Sequence, residues 1–237
     1  MAAIATELDI EAEFPADVLA AADRAATSPK LPELDRTDIE LVTIDPPGAK
    51  DLDQALHIER SSGGGFQVHY AIADVAAFVE PGGPIDIEAH RRGQTLYAPD
   101  RRIPLHPPVL SEDAASLLPD QTRPALLWTI DLDELGEQTQ VKVERALVRS
   151  RGQFDYATVQ QQIDDGSTGE VFALLKEVGE LRVRREIERG GVSLPLPEQE
   201  VVVNDDAWSL QFRQLHPVED WNAQISLLTG MGAAEIM

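Results

Sequence analysis

Three aspartates lie close together in residues 43–56. Asp45, Asp51 and Asp53 fall within nine residues, and apolar residues flank them on both sides. Two prolines and a glycine follow the first aspartate and predict a chain reversal, which would let it face the other two. Packed carboxylates repel each other, and a hard divalent cation such as Mg²⁺ relieves that repulsion. The spacing is typical of a metal site that cleaves phosphodiester bonds, although the same acids also fit a solvated turn.

The elements around the aspartates alternate between hairpins and helices. An apolar run at residues 39–44 predicts a strand that ends at the first aspartate, and residues 54–73 predict a hairpin after the third. The other predicted elements are helices at residues 14–29, 86–92, 111–117, 155–163, 171–189 and 219–237, an irregular stretch at 97–108, and hairpins of 124–132 with 138–149 and of 201–203 with 208–212 around a turn at 204–206. This pattern indicates an α+β domain with a mixed, largely antiparallel sheet built from hairpins, with flanking helices.

The composition limits the classes of function. Lys and Arg number 20 against 42 Asp and Glu, so the formal net charge is −22, and there is no cysteine. Disulfides, thiolate zinc sites and cysteine nucleophiles are therefore excluded. The negative charge repels phosphate at long range, which argues against general coating of RNA more than against RNA chemistry at one site. The acidic N-terminal segment is not typical of a secretory signal and no apolar run is long enough to span a bilayer, so we expect a cytoplasmic protein without a membrane partner.

The arginines are the candidates for contacts with a nucleic-acid backbone. Those considered are Arg91, Arg92, Arg101, Arg102, Arg182, Arg184, Arg185 and Arg189. The arginines of the predicted helix at residues 171–189 are expected to form a solvated face of that helix.

The aspartate segment and the motifs after it resemble the RNB catalytic domain of the ribonuclease II and ribonuclease R family. Six pieces occur in the family order, and such a series is far more specific than one short motif. The pieces are residues 43–56, 70–75, 97–100 leading into 103–105, 110–112 leading into 116–117, 123–125, and Tyr156 within 154–156. The resemblance covers residues 38–237, so the predicted organisation is an N-terminal helix and linker at 1–37 followed by an RNB-like catalytic domain.

The resemblance implies a function and a set of residues. It implies a Mg²⁺-dependent hydrolytic exoribonuclease that degrades single-stranded RNA from 3′ to 5′ and releases nucleoside monophosphates. It implies that Asp45, Asp51 and Asp53 bind the metal and form the catalytic set, with Asp53 the most critical. It also implies that Tyr97 and Tyr156 pack against bases near the RNA 3′ end, a role that suits stacking without base identity. The alternative for both tyrosines is ordinary core or rim packing.

The sequence departs from the family pattern in two places. Gln54 stands where the family usually has a fourth aspartate, and a glutamine offers a metal a carbonyl oxygen but no charge. The family's catalytic domain also continues past the segment that matches Met237, so we expect residues 38–237 to be incomplete at the C-terminus. These departures leave two alternatives open. One is a catalytically impaired RNB-like module that binds RNA or protein, and the other is a domain whose acids bind only a stabilising cation.

Overall fold

The helices and strands are taken from a computed structural model that describes residue 7 and residues 10–192, 196–204, 207–213 and 215–237. In chain order they are α1 (Ala16–Thr27), β1 (Leu41–Ile44), β2 (Gln54–Arg60), β3 (Phe66–Ala73), α2 (Pro84–Arg92), β4 (Leu96–Ala98), β5 (Arg101–Ile103), β6 (Thr122–Leu132), β7 (Gln138–Phe154), α3 (Tyr156–Asp165), α4 (Glu170–Glu188), β8 (Glu198–Asn204), β9 (Ala207–Arg213) and α5 (Pro217–Ile236). Short helical turns lie at Val75–Ala77 and Leu110–Ala114. The turn predicted at residues 204–206 lies partly outside the described residues.

Five strands form a closed barrel in the order β1, β2, β3, β6, β7. Each strand pairs with the next one in this order in an antiparallel arrangement. The ring is closed by β1 and β7, which pair in parallel. The predicted α+β class and the largely antiparallel, mixed sheet are confirmed. The closure was not predicted, because β7 continues to Phe154 and its last residues, beyond the predicted end at 149, are the ones that meet β1.

Apolar clusters cover both faces of the barrel strands. On one face Leu56, Ile58 and Tyr70 join a cluster with residues of the helices, including Leu175 and Ile225. The other face carries a second cluster with several small residues, and its members are Ile39, Leu41, Leu52, Ala55, Ala71, Leu117, Ala125, Leu127, Ala146 and Val148. Because successive side chains of a strand point to opposite faces, the alternation in β2 and β3 serves both clusters. Helices α3, α4 and α5 therefore cover one side of the barrel.

Helix α1 packs against the rest of the molecule through a third cluster. Val18 and Ala22 are buried there beside Phe78, Ile85 and Leu110. The proposed boundary between residues 37 and 38 stays a prediction. Within the described ranges, no helix combines the length and the apolar character that crossing a bilayer requires.

Two local predictions were wrong. The stretch at residues 97–108 is not irregular throughout, because β4 and β5 form a short antiparallel hairpin in which Tyr97 lies opposite Arg102. Arg182 does not belong to a solvated face, since only 2% of it is exposed. Its guanidinium donates to the carbonyl oxygen of Gly136 at 2.8 Å and contacts the Met231 sulfur at 3.4 Å. At Arg182, helix α4 therefore packs against the β6–β7 turn and α5.

Candidate active site

Asp45 and Asp53 stand at neighbouring ends of two barrel strands. Asp45 directly follows β1, and its backbone N–H donates to the carbonyl oxygen of Phe154 in β7 at 3.0 Å. Asp53 directly precedes β2, and its carbonyl oxygen accepts from the Ala73 N–H at 2.9 Å. Because β1 and β2 are antiparallel, the end of one lies beside the start of the other. The barrel thus brings together two acids that a loop separates in sequence.

Hydrogen bonds to Ser116 anchor the loop between these acids. The Ser116 hydroxyl accepts from the Leu52 N–H at 3.0 Å and donates to the Lys50 carbonyl oxygen at 2.6 Å. The Leu117 N–H donates to the Leu52 carbonyl oxygen at 2.8 Å. Ser116 is buried and Leu52 has no exposed surface, so this segment is anchored on both sides of Asp51.

A small polar cavity of about 110 Å³ opens where the two strand ends meet. Its lining consists of Val42, Ile44, Asp45, Asp53, Gln54, Ala55, Leu56, Tyr70, Tyr156 and Asn222. By surface area Asp53 is an exposed residue and Asp45 a half-buried one, although the surrounding protein atoms desolvate both carboxyls. The cavity is therefore open to a ligand from the Asp53 side.

The two carboxyls in this cavity hold their protons more tightly than usual. Burial, followed by the charges of Asp53 and Asp51, raises the pKa of Asp45 to about 6. Burial among protein atoms and the charge of Asp51 also raise the pKa of Asp53. Such shifts arise where negative charge is desolvated and crowded without a neutralising cation. A bound cation would offset both shifts, because its charge favours the ionised carboxylates.

Asp51 is placed differently from its two neighbours. Its Oδ2 accepts from Arg102 Nη1 at 2.6 Å, and Arg102 Nη2 contacts Glu112 Oε1 at 2.5 Å. Among the described residues, no group of three or more His, Asp or Glu side chains is arranged so that it could hold a metal ion. The structure brings Asp45 and Asp53 to one cavity and pairs Asp51 with an arginine, so the three-aspartate metal set stays a prediction.

A second, larger cavity of about 290 Å³ adjoins the first, and Asp53 lines both. Its lining residues are Asp51, Leu52, Asp53, Ala73, Val75, Phe78, Thr95, Tyr97, Pro104, Leu105, His106, Leu110, Ser111, Ala115 and Ser116. Tyr97 stands in β4 with 75% of its surface exposed. Burial lowers the pKa of His106, which favours its neutral imidazole.

The two tyrosines predicted to contact RNA line different cavities. Tyr156 belongs to the first cavity and Tyr97 to the second. Tyr156 begins α3, whose preceding residue, Asp155, accepts at its carboxylate from the Thr158 N–H at 2.8 Å and so caps the helix. The Tyr156 hydroxyl accepts from Asn222 of α5 at 3.3 Å. The Tyr156 hydroxyl is thus linked to α5, whereas most of the Tyr97 ring faces solvent.

Sequence reasoning missed two residues of the first cavity. Tyr70 lies within one of the matching motifs, but its alternation in β3 indicated only a core position. Its hydroxyl donates to Gln54 Oε1, and burial raises the Tyr70 pKa to about 12. Asn222 lies in α5, far along the chain, and no local pattern links it to the aspartates.

Comparison with protein families decides the affiliation of the chain. The model described as RNB domain matches residues 34–231. The chain belongs to the RNB domain family. The resemblance carried by the six motifs is therefore confirmed.

Relatives of this RNB domain include long nucleases. Ribonuclease R of Escherichia coli strain K12 is 34% identical over 183 residues, which are 74% of this chain and 22% of that protein. The human protein named exosome complex exonuclease RRP44 is 29% identical over 202 residues, which are 82% of this chain and 21% of that protein. The apo form of Mycoplasma genitalium RNase R superposes with a TM-score of 0.86 at 27% identity, over 94% of this chain and 37% of its own. The chain spans about a fifth of the length of the two curated relatives.

The donors that this RNB domain offers fit a hard divalent cation. Mg²⁺ is usually bound by one or two carboxylates, with waters and substrate phosphates completing its shell. Asp45 and Asp53 supply two carboxylates in one cavity, and their raised pKa values mark charge that a cation would neutralise. The Gln54 carbonyl oxygen accepts from the Tyr70 hydroxyl, which leaves it one lone pair and no charge to offer a metal.

Proposed function

We propose that this RNB domain is a Mg²⁺-dependent, hydrolytic exoribonuclease that degrades single-stranded RNA from 3′ to 5′ and releases nucleoside monophosphates. The observation that carries the proposal is the pair of crowded carboxylates, Asp45 and Asp53, in one cavity of a domain whose relatives are named ribonuclease and exonuclease. The partner in this proposal is single-stranded RNA. We expect the protein to act in the cytoplasm.

Asp45 and Asp53 would hold the cation, and Asp53 would face the reacting phosphate because its side chain is the more accessible. When bound, Mg²⁺ would lower the pKa of a water and steady the leaving oxygen. Both carboxyls must be ionised to hold it, so their raised pKa values make binding weaker in acid. In this proposal Asp51 is the third acid of the set, once it is free of Arg102.

The tyrosines supply the contacts to the RNA chain. Tyr97 presents an exposed ring at the cavity next to Asp53, where a base can stack whatever its identity. Tyr156 lines the cavity that contains Asp45, and its hydroxyl accepts from Asn222, which lines the same cavity. A single strand can separate its bases to reach both rings, whereas a paired strand cannot, which supports single-stranded RNA as the substrate.

The proposal is tested with an RNA labelled at its 5′ end, incubated with the 237-residue chain and Mg²⁺. We expect a ladder of fragments shortened from the 3′ end and nucleoside monophosphates as products. Asp53→Asn is expected to reduce the rate by at least about a hundredfold, because it removes a charge that acts on the reacting group. Tyr97→Ala is expected to reduce RNA affinity, because each stacked base contributes about 1–3 kcal/mol.

Asp17→Asn is the matched control, since Asp17 is an exposed acid in α1. It removes the same charge and is expected to leave the rate unchanged. Equal rates for the parent and Asp53→Asn would contradict the proposal, and so would release of the labelled 5′ nucleotide before any shortened fragment appears.

A second candidate function follows from Gln54. This residue stands where the family usually has a fourth aspartate, and its carbonyl oxygen, which accepts from the Tyr70 hydroxyl, carries no charge. The RNB domain would then be a catalytically impaired module that binds RNA or protein. That function predicts no RNA shortening by the parent and identical RNA binding by the parent and Asp53→Asn, measured by fluorescence anisotropy. RNA hydrolysis that Asp53→Asn abolishes would reject it.

A further inference from the structure

Arg102 links the candidate metal loop to the hairpin that carries Tyr97. One nitrogen of its guanidinium, Nη1, lies 2.6 Å from Asp51 Oδ2, and the other, Nη2, lies 2.5 Å from Glu112 Oε1. Burial lowers the Arg102 pKa, but the hydrogen bonds and charges of the two carboxylates outweigh it and raise the pKa above the ordinary value. Arg102 thus occupies the Asp51 carboxylate oxygen that a cation would otherwise bind.

The backbone on both sides of Asp51 is fixed, so its side chain decides which partner it meets. Ser116 holds the Lys50 carbonyl oxygen and the Leu52 N–H. The carboxylate of Asp51 lines the larger cavity together with Asp53, yet it points to the arginine. Because Asp51 and Asp53 line the same cavity, Asp51 would have to turn away from Arg102 to join Asp53.

The same hairpin places Arg102 beside the proposed RNA contact. Tyr97 in β4 lies directly opposite Arg102 in β5. A base stacked on the exposed Tyr97 ring would bring its phosphate close to this strand pair. A guanidinium binds phosphate and carboxylate with the same fork of N–H donors, so a phosphate is a direct competitor of Asp51 for Arg102.

We propose that Arg102 keeps Asp51 away from the metal site until an RNA phosphate replaces Asp51 as the partner of Arg102. Metal binding and RNA binding are then coupled. The inference rests on the proposed function of this site. Glu112 keeps one side of the guanidinium anchored during the exchange, so Arg102 need only turn away from Asp51. Arg102 acts here as a positioning residue, because its effect on the metal passes through Asp51.

The test measures Mn²⁺ binding to the 237-residue chain by the electron paramagnetic resonance signal of free Mn²⁺. We expect Arg102→Gln to bind Mn²⁺ about tenfold more tightly than the parent, because Asp51 then becomes available as a ligand. The gain is expected to vanish in the double variant Arg102→Gln/Asp51→Asn. Arg101→Gln is the control, because the neighbouring Arg101 pairs with Asp100 and not with the metal loop, and its Mn²⁺ affinity should equal that of the parent.

A second arm adds a short RNA with phosphorothioate linkages. RNA is expected to narrow the difference in Mn²⁺ affinity between the parent and Arg102→Gln, because phosphate frees Asp51 in the parent. Arg102→Lys provides a variant that keeps the charge but not the fork, and we expect an intermediate affinity. Thermal melting of each variant establishes that it is folded, and the Lys variant replaces Arg102→Gln if the latter unfolds.

Three outcomes would overturn the inference. Equal Mn²⁺ affinities of the parent and Arg102→Gln would mean that Asp51 is not withheld, while the metal site itself would stand. A gain that persists in the double variant would mean that the arginine acts only by its charge. Absence of Mn²⁺ binding in every variant would overturn the metal site of the proposed function, and this inference with it.

Discussion

At the scale of single residues, the site is defined by two crowded carboxylates, Asp45 and Asp53, whose ionisation reduces the stability of the folded protein. The pKa of Asp45 is raised from 3.8 to about 6, so the folded protein keeps a proton that the unfolded chain has already released in that pH range. The contribution of Asp45 to stability therefore falls as the pH rises from about 4 to about 6, because at this group the folded state binds more protons than the unfolded state. A cation that binds both carboxylates would reverse this loss above pH 6.

The first prediction follows from this titration. Asp45→Asn is expected to change the free energy of unfolding more favourably at pH 7 than at pH 4, by about 1–2 kcal/mol. This range is smaller than the full pKa shift would give, because Asp45 is only partly buried. Urea unfolding at the two pH values measures it, with Asp17→Asn as the control. In the parent, added Mg²⁺ should stabilise the protein at pH 7 and much less at pH 5. The same stability change in Asp45→Asn at pH 4 and pH 7 would contradict the assignment.

At the scale of elements, the aspartate loop depends on a residue distant in sequence. Ser116 follows the turn at Leu110–Ala114, and it connects to the loop through both its donor and its acceptor. The strands themselves were predictable, because alternating apolar residues mark β2 and β3 and the aspartates interrupt that pattern. The Ser116 contact was not, since a lone serine in a short helical pattern carries no sign of a partner 64 residues away.

The second prediction concerns this contact. Ser116→Ala is expected to lower the free energy of unfolding by about 1–3 kcal/mol, because it leaves buried backbone groups of the loop without their partner. It should also weaken Mg²⁺ binding, since Asp51 and Asp53 flank the anchored Leu52. Ser111→Ala is the control, because the Ser111 hydroxyl makes only long contacts of 3.3 and 3.5 Å, and its effect should stay below about 0.5 kcal/mol. Similar losses for the two variants, measured by urea unfolding, would reject the anchoring role.

At the scale of the whole molecule, barrel closure determines where the acids lie. The sequence predicts the hairpins and the α+β class, but the parallel pair of β1 with β7 joins residues more than 100 positions apart, and no local periodicity reports such a pair. Asp45, Asp53 and Tyr156, which the family motifs singled out, line one cavity, and their roles stay predictions. They did not indicate that Asp51 would meet Arg102, because that contact depends on a hairpin within a stretch that looked irregular.

The third prediction concerns the place of α1 in the molecule. Val18 is buried against Phe78 and Ile85, whereas the next residue, Leu19, lies outside this cluster with 42% of its surface exposed. Val18→Ala is expected to lower the free energy of unfolding by about 1–2.5 kcal/mol through lost burial and the cavity left behind. Leu19→Ala should change it by less than about 0.5 kcal/mol. Equal small effects in thermal or urea unfolding would mean that α1 does not share the core of the domain.

The most direct test of the central claim, that Asp45 and Asp53 together hold a divalent cation, is the anomalous scattering of Mn²⁺ in crystals of the chain. The account predicts a peak in the cavity between the two carboxylates, about 2.0–2.3 Å from an oxygen of each, and its loss in Asp53→Asn. An empty cavity at a Mn²⁺ concentration that supports RNA hydrolysis, or a peak only at other acids, would contradict it.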